Sequence, residues 1–111
     1  MTYDEDLANR IRELVADEPG VTEKKMFGGV AFLIGGNMAV AASSQGGILL
    51  RVDPVDSDAL AAKPHAEVAV MRGRPMAGWL RIASEGLKTK RQLERWVQRG
   101  VGYARSLPPK G

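Results

Sequence analysis

The chain has no cysteine, one histidine and few aromatic residues, which make up 5% of its 111 residues. Without cysteine there is no disulfide, no thiolate metal site and no thiol nucleophile. No apolar run approaches the roughly 20 residues of a membrane-spanning helix. The N-terminal residues are acidic and polar, whereas a signal peptide needs a basic region followed by an apolar run. We therefore expect a cytoplasmic protein that does not engage a membrane.

The length suits a single domain, residues 1–111, whose core needs no cross-links. The formal net charge is +3, but the charge is polarised along the chain. Residues 1–23 carry seven acids against two arginines, and residues 84–111 carry seven bases against two acids. This asymmetry indicates either an acidic partner for the basic end or attraction between the two ends, within the fold or between subunits. The second explanation is the simpler one.

The stretch 26–52 is the centre of the chain, because two turn-forming clusters separate three apolar runs there. This pattern predicts an antiparallel meander. Its first strand covers 22–27 and continues over 30–34, and the next two strands cover 38–42 and 48–52. Gly28 and Gly29 interrupt the first strand and indicate a bulge, a bend or the close approach of another backbone.

Helices are predicted before and after the meander along the chain. An apolar stripe that starts at Leu7 predicts a helix over 3–17, capped by Thr2 or Asp4. Asp53 caps a second helical segment that runs to about residue 62.

Two more strands and a final helix complete the chain. Strands are predicted over 67–71 and 79–82, with a turn or loop over 72–76. The last helix covers 90–106 and begins with a capping box of Thr89 and Gln92. The order α-β-β-β-α-β-β-α predicts an α+β domain, in which an antiparallel sheet forms one layer and helices the other.

The two faces of the meander differ in side-chain size. Strand alternation places large apolar side chains on the face expected against the helices: Val30, Phe32, Ile34, Met38, Val40, Ile48, Leu50 and Val52. The other face is small and mainly apolar, with Ala31, Leu33, Ala39, Ala41, Leu49 and Arg51. A flat apolar face left open by a two-layer domain is a candidate homodimer surface.

Catalytic and metal-binding patterns are weak. His65 stands in a loop without metal-ligand spacing around it, and a surface histidine explains it best. Ser43 and Ser44 lie in a glycine-rich turn without the motif of a nucleophilic serine. The paired glycines do not form a phosphate-binding loop. We therefore expect no enzyme activity, no metal and no cofactor, with a small enzyme as a remote alternative.

Basic residues are the constellation that most suggests a function. They occur as a pair before the central stretch, around a glycine close to Trp79, and four apart along the last helix: Lys24, Lys25, Arg72, Arg74, Arg91, Arg95 and Arg99. Arginines near an aromatic ring can hold phosphates and stack on bases. The modest net charge and the lack of a helix-turn-helix or RNA-binding motif make nucleic-acid binding possible but not favoured. The alternative is a solvated, salt-bridging surface.

Four ordered motifs resemble the N-terminal domain of the TfoX/Sxy family of competence regulators. They are Val21-Thr22-Glu23-Lys24-Lys25-Met26-Phe27-Gly28-Gly29, Gly36-Asn37-Met38, Gly73-Arg74-Pro75-Met76-Ala77-Gly78-Trp79 and Tyr103-Ala104-Arg105-Ser106-Leu107-Pro108. The resemblance covers nearly the whole chain. It implies a two-layer α/β domain similar to the secretion-chaperone-like fold.

The resemblance also implies a non-enzymatic, regulatory role. Full-length family members act as coactivators of competence genes together with the cyclic-AMP receptor protein. This chain leaves no room for the C-terminal TfoX domain, so we expect a stand-alone N-terminal domain. The favoured hypothesis is an interaction module that binds a protein partner through the basic residues and forms a homodimer. Direct nucleic-acid binding by the same residues is the second hypothesis.

Overall fold

The computed structural model describes residues 4–26 and 28–109. Within them, three helices and six strands follow one another in this order: α1 Glu5–Val15, β1 Val21–Met26, β2 Gly29–Ile34, β3 Asn37–Ala42, β4 Ile48–Arg51, α2 Ser57–Ala61, β5 Ala66–Met71, β6 Arg74–Ile82 and α3 Lys90–Ser106. One-turn 3₁₀ helices at Pro54–Asp56 and Ser84–Leu87 precede α2 and α3. No helix in these ranges is long and apolar enough to cross a bilayer.

The strands form one antiparallel sheet in the order β1-β2-β3-β4-β6-β5. The helices pack on one face of it, and the main core lies between the two layers. Its largest fully buried side chains include Ile11 of α1, Leu93 of α3, and Phe32, Leu50 and Leu80 of the sheet. The structure therefore confirms the predicted two-layer α+β class.

Local capping chemistry agrees with the sequence at three places. Asp4 accepts a hydrogen bond from the backbone N–H of Leu7, and Asp53 accepts one from that of Val55. Thr89 opens α3 with the expected capping box. These bonds satisfy backbone donors that the first turn of a helix leaves unpaired. Residue 3, where α1 was predicted to begin, and Thr2, its other predicted cap, lie outside the described residues.

The helices and strands follow the predicted order, except that the first predicted strand is a hairpin of two strands. Residues 21–26 and 29–34 pair antiparallel, from Val21 opposite Ile34 to Met26 opposite Gly29. The chain reverses at Gly28, whose φ of +77° suits glycine. Phe27, predicted to end the first strand segment, lies outside the described residues. A Cβ on Gly29 would stand 2.1 Å from the carbonyl oxygen of Ala42, so the predicted close approach of a backbone is present.

The predicted faces of β3 are wrong at two residues. The β2–β3 register shifts after Phe32, which leaves Ala39 as an extra residue in β3. Because such a bulge interrupts strict alternation, Ala39 joins the helix-facing core and Met38 joins the opposite face. The predicted loop over 72–76 is also shorter, since β6 already begins at Arg74.

Interactions within the chain join the oppositely charged ends. Arg105 of α3 forms an ion pair with Glu18, which follows α1. Arg10 of α1 donates a hydrogen bond to the carbonyl of Lys88 at 3.5 Å. Attraction within the fold, the simpler explanation of the charge asymmetry, therefore accounts for part of it.

We expect Gly100→Ala to lower the free energy of unfolding by about 1–3 kcal/mol, although alanine is the better helix former. Its Cβ would lie 2.5 Å from the carbonyl oxygen of Ala39 and 2.7 Å from Cδ1 of Leu50. Gly102 is the matched control, because a Cβ there meets nothing within 4 Å. Gly102→Ala should raise the unfolding free energy by up to about 1 kcal/mol. Urea unfolding measures both, and equal effects would contradict this packing.

We expect the ion pair between Arg12 and Glu23 to contribute less than about 1 kcal/mol to the free energy of unfolding, because both side chains are more than one-third exposed. Arg12 donates hydrogen bonds of 2.6 and 2.8 Å to the Glu23 carboxylate and holds its pKa below the ordinary 4.5. The contribution is therefore complete above the unfolded-state pKa and is lost as pH falls through the lower folded-state pKa. The free energies of unfolding of Glu23→Gln and of the wild type should differ at neutral pH and converge in acid. A constant difference down to the most acidic buffer would assign the effect to packing.

Candidate functional site

The face of the sheet turned away from the helices is concave. Strands about 4.8 Å apart would place the edge strands of a flat six-stranded sheet about 24 Å apart. Instead, Met26 of edge strand β1 and Met71 of edge strand β5 line the same cavity. The sheet therefore curls until its edges form the two walls of a groove.

This concave groove encloses about 420 Å³. Its lining is Met26, Gly29, Ala41, Ala42, Ser43, Ser44, Gln45, Leu49, Met71, Arg72 and Arg81. Ala41 and Leu49 form an apolar floor, and the two methionines form apolar walls. Two arginines add positive charge to an otherwise uncharged lining.

Arg81 uses only part of its hydrogen-bonding capacity. Its Nη1 donates to Oγ of Ser43 at 3.2 Å, which uses one of the five N–H donors of a guanidinium. Glu67 stands opposite Arg81 in the β5–β6 register, but no ion pair joins them. The same arginine borders a second hollow, of about 460 Å³, together with His65 and Glu67. Arg81 thus borders both openings.

Arg72 occupies a backbone conformation that is unusual for arginine. The β5–β6 turn consists of Arg72 and Gly73, between the paired residues Met71 and Arg74. Both turn residues have positive φ, +53° and +76°, as a two-residue hairpin of this hand requires. Asn-Gly is the usual sequence for such a turn, so the Arg-Gly pair gave no clear hairpin signal.

Four of the five apolar residues predicted for a homodimer face lie on the concave side. Ala31, Leu33, Ala41 and Leu49 belong to its apolar cluster, whereas Ala39 faces the helices. Ala31 is 0% exposed, Leu49 8% and Ala41 9%. The face is therefore not the flat open surface that strand alternation indicated, and a second copy would meet its rim before its floor.

The predicted basic residues do not form one continuous surface. Lys24 lies on the concave side by alternation from Met26, while its exposed neighbour Lys25 points to the other side. Arg72 and Arg74 are exposed at and beside the β5–β6 turn. Arg91, Arg95 and Arg99 lie on α3, in the layer on the opposite side of the sheet.

Aromatic contacts occupy some of these side chains. The guanidinium of Arg99 lies 4.8 Å from the ring centre of Trp96, which is itself buried. Trp79, predicted as a stacking surface, contacts Arg51 at 5.3 Å, and Arg51 also reaches the ring of Tyr103 at 5.7 Å. Arg51 was not predicted as a contact of Trp79, since nothing in the sequence identifies Arg51 and Trp79 as cross-strand partners.

The polar groups do not build a metal centre. Among the residues described, no cluster of three or more acidic or histidine side chains is placed to hold a metal ion. His65 is exposed, as predicted, and its side chain packs against Gly86, where a Cβ would come within 2.8 Å. The arrangement is suited to binding an anion beside an apolar surface.

In the described part of the chain, three helices on one face of a six-stranded antiparallel sheet, with a groove on the other face, define a two-layer α+β domain. The sequence model of the TfoX N-terminal domain matches residues 13–104, well over half of the chain. The chain belongs to the TfoX N-terminal domain family, a regulatory and competence-related class of domains. No curated protein matches the chain significantly.

We expect Arg72→Asn to raise the free energy of unfolding by up to about 1 kcal/mol, because asparagine tolerates the left-handed conformation better. Arg74→Asn removes the same charge two residues later, where the backbone is that of a strand. Asparagine is unfavourable in strands, so this control should not be stabilising. Urea unfolding of both variants tests the turn geometry. A loss of stability in Arg72→Asn would instead mean that the arginine side chain supports the fold.

Proposed function

We propose that this domain is a non-enzymatic regulatory module that acts in the cytoplasm by binding a protein partner. An acidic surface of that partner docks on the outer face of α3. Family membership supports the regulatory class. The observation that carries the docking site is a pair of exposed arginines on α3 that have no ion-pair partner among the described residues, on a helix whose opposite side is fixed in the core.

The inner side of α3 is held rigidly. Leu93, Trp96, Val97 and Val101 are buried, and Gly100 brings the helix backbone against β3. The capping box at Thr89 stabilises the first turn. The outer side chains are therefore presented from a fixed frame, which lowers the entropic cost of binding.

The outer side of α3 offers positive charge without internal partners. Arg91 and Arg95 are exposed and four residues apart, hence on one side of the helix. Neither forms an ion pair or side-chain hydrogen bond within the described residues, and Glu94 pairs with neither. An acidic protein surface supplies the carboxylates that such arginines bind.

Nucleic-acid binding would use the same arginines, but the surroundings of these arginines support it less well. Trp96 is 7% exposed and lies beneath Arg99, so it is not available to stack on a base.

The homodimer stays a prediction. Both edge strands have features that discourage pairing with a strand of another chain. β1 carries the charged residues Glu23, Lys24 and Lys25, and β5 has a register shift at Ala69.

The test compares two charge reversals of equal size. Arg91→Glu with Arg95→Glu should weaken binding to a cyclic-AMP receptor protein, the partner that the family resemblance suggests, or to purified RNA polymerase, by about tenfold or more. Lys24→Glu with Lys25→Glu, on edge strand β1, should leave binding within about threefold. Calorimetry at two salt concentrations, with circular dichroism of each variant, gives the affinity and checks the fold.

Two results would contradict the proposal. One is equal weakening by both double variants, which would reflect net charge and not a docking face. The other is salt-sensitive binding to duplex DNA, lost in the α3 variant, without binding to either protein. The salt slope would then count the phosphates contacted, at about one logarithmic unit each.

A further inference from the structure

We propose that the concave groove is a binding site for a small linear carboxylate, such as a medium-chain fatty acid. Its alkyl chain lies on the floor of Ala41 and Leu49 between the two methionine walls, and its carboxylate binds Arg72 and Arg81. This site is separate from the protein-docking face of α3, because the sheet lies between them.

The size and shape of the groove suit a small ligand. Small-molecule sites typically have volumes of about 300–1,000 Å³ and a mainly apolar lining with a few polar groups. The groove has about 420 Å³ and is closed on two sides by the edge strands. Methionine side chains are flexible and polarizable, so Met26 and Met71 can adapt to an alkyl chain.

The charge in the groove specifies the head group. Arg72 and Arg81 both line it, and arginine binds a carboxylate through two parallel hydrogen bonds. Arg81 uses one donor, on Ser43, and Arg72 makes no hydrogen bond or ion pair within the described residues. Glu67 faces Arg81 from β5, but it does not line the groove. The lining itself contains no carboxylate that would compete with a ligand.

The backbone of Arg72 gives independent support. A left-handed residue other than glycine, asparagine or aspartate is disfavoured by about 1–2 kcal/mol. Such strain is concentrated at functional sites, where the identity of the side chain matters. Arginine at this turn places a cation at the edge of the groove, which glycine or asparagine would not.

An alkyl chain fits the lining better than a peptide does. A peptide would bring backbone N–H and C=O groups against Ala41, Leu49 and the methionines, whose side chains offer no good hydrogen-bond partner. Buried polar groups without partners oppose binding. A hydrocarbon chain has no such groups and gains from leaving water.

The test is titration of the protein with hexanoate, octanoate and decanoate, observed through carbon-13-labelled methionine methyl groups. We expect saturable shifts at Met26 and Met71 and none at Met76, which is partly exposed outside the groove. Each added methylene should tighten binding about fourfold until the groove is filled.

Matched ligands and variants test the two parts of the site. Decanol should bind about tenfold more weakly than decanoate, and Arg72→Asn with Arg81→Gln should remove that difference. Arg91→Glu with Arg95→Glu, on α3, should bind decanoate as the wild type does. Circular dichroism shows that each variant is folded.

The proposal is overturned if no saturable shift occurs, or if Met76 responds as strongly as Met71. It is also overturned if decanol and decanoate bind the wild type equally. Saturable binding at the same two methionines by an acidic peptide, but not by decanoate, would assign the groove to a protein segment instead. The docking proposal rests on Arg91 and Arg95 of α3 and is tested by partner binding. Failure of the groove proposal therefore does not affect it.

Discussion

The contact between α3 and β3 is the constraint on which the two layers depend. At Gly100 the helix has no side chain, and the carbonyl of Ala39 occupies the space that a Cβ would need. Ala39 faces the helix because a bulge in β3 turns it there. One irregular residue in the sheet and one glycine in the helix thus set the distance between the layers. The apolar cluster of α1, α3 and the strands can then close around them.

The opposite face of the sheet depends on small side chains. Ala31, Ala41 and Ala69 let the sheet curl without clashes between neighbouring strands. Larger residues from the edges, Met26 and Met71, line the same cavity above this floor. The result is a ligand-sized depression on one side of the domain and a charged helix on the other. Two binding functions can therefore exist in one small domain without sharing residues.

The sequence predicts the elements better than the way they bend. The α3 capping box, the Asp53 cap and the sheet class follow from local chemistry, and the structure confirms them. Gly28 and Gly29 indicated a bulge, a bend or the close approach of a backbone, and only the partner of β1 shows that they lie at a hairpin. The exchange of Met38 and Ala39 between faces has the same origin, since strict alternation cannot locate a bulge.

The candidate site was harder to predict than the fold for a related reason. The small residues of the concave face are recognisable from alternation, but the curl that makes them a groove depends on the whole sheet. Arg81 and the two methionines come from three different strands, and no local motif joins them. The basic residues, by contrast, are visible in the sequence, although it does not show that they lie on opposite sides of the molecule.

The two tryptophans of the chain occupy different layers. Trp96 is buried between α3 and the sheet, while Trp79 belongs to the apolar cluster of the concave face and contacts Arg51. Each indole therefore has its own surroundings and its own neighbouring guanidinium. With one tryptophan replaced by phenylalanine at a time, the fluorescence of the other becomes a local reporter. Loosening of the helix layer and opening of the concave face are then separate optical signals from a protein that needs no added label.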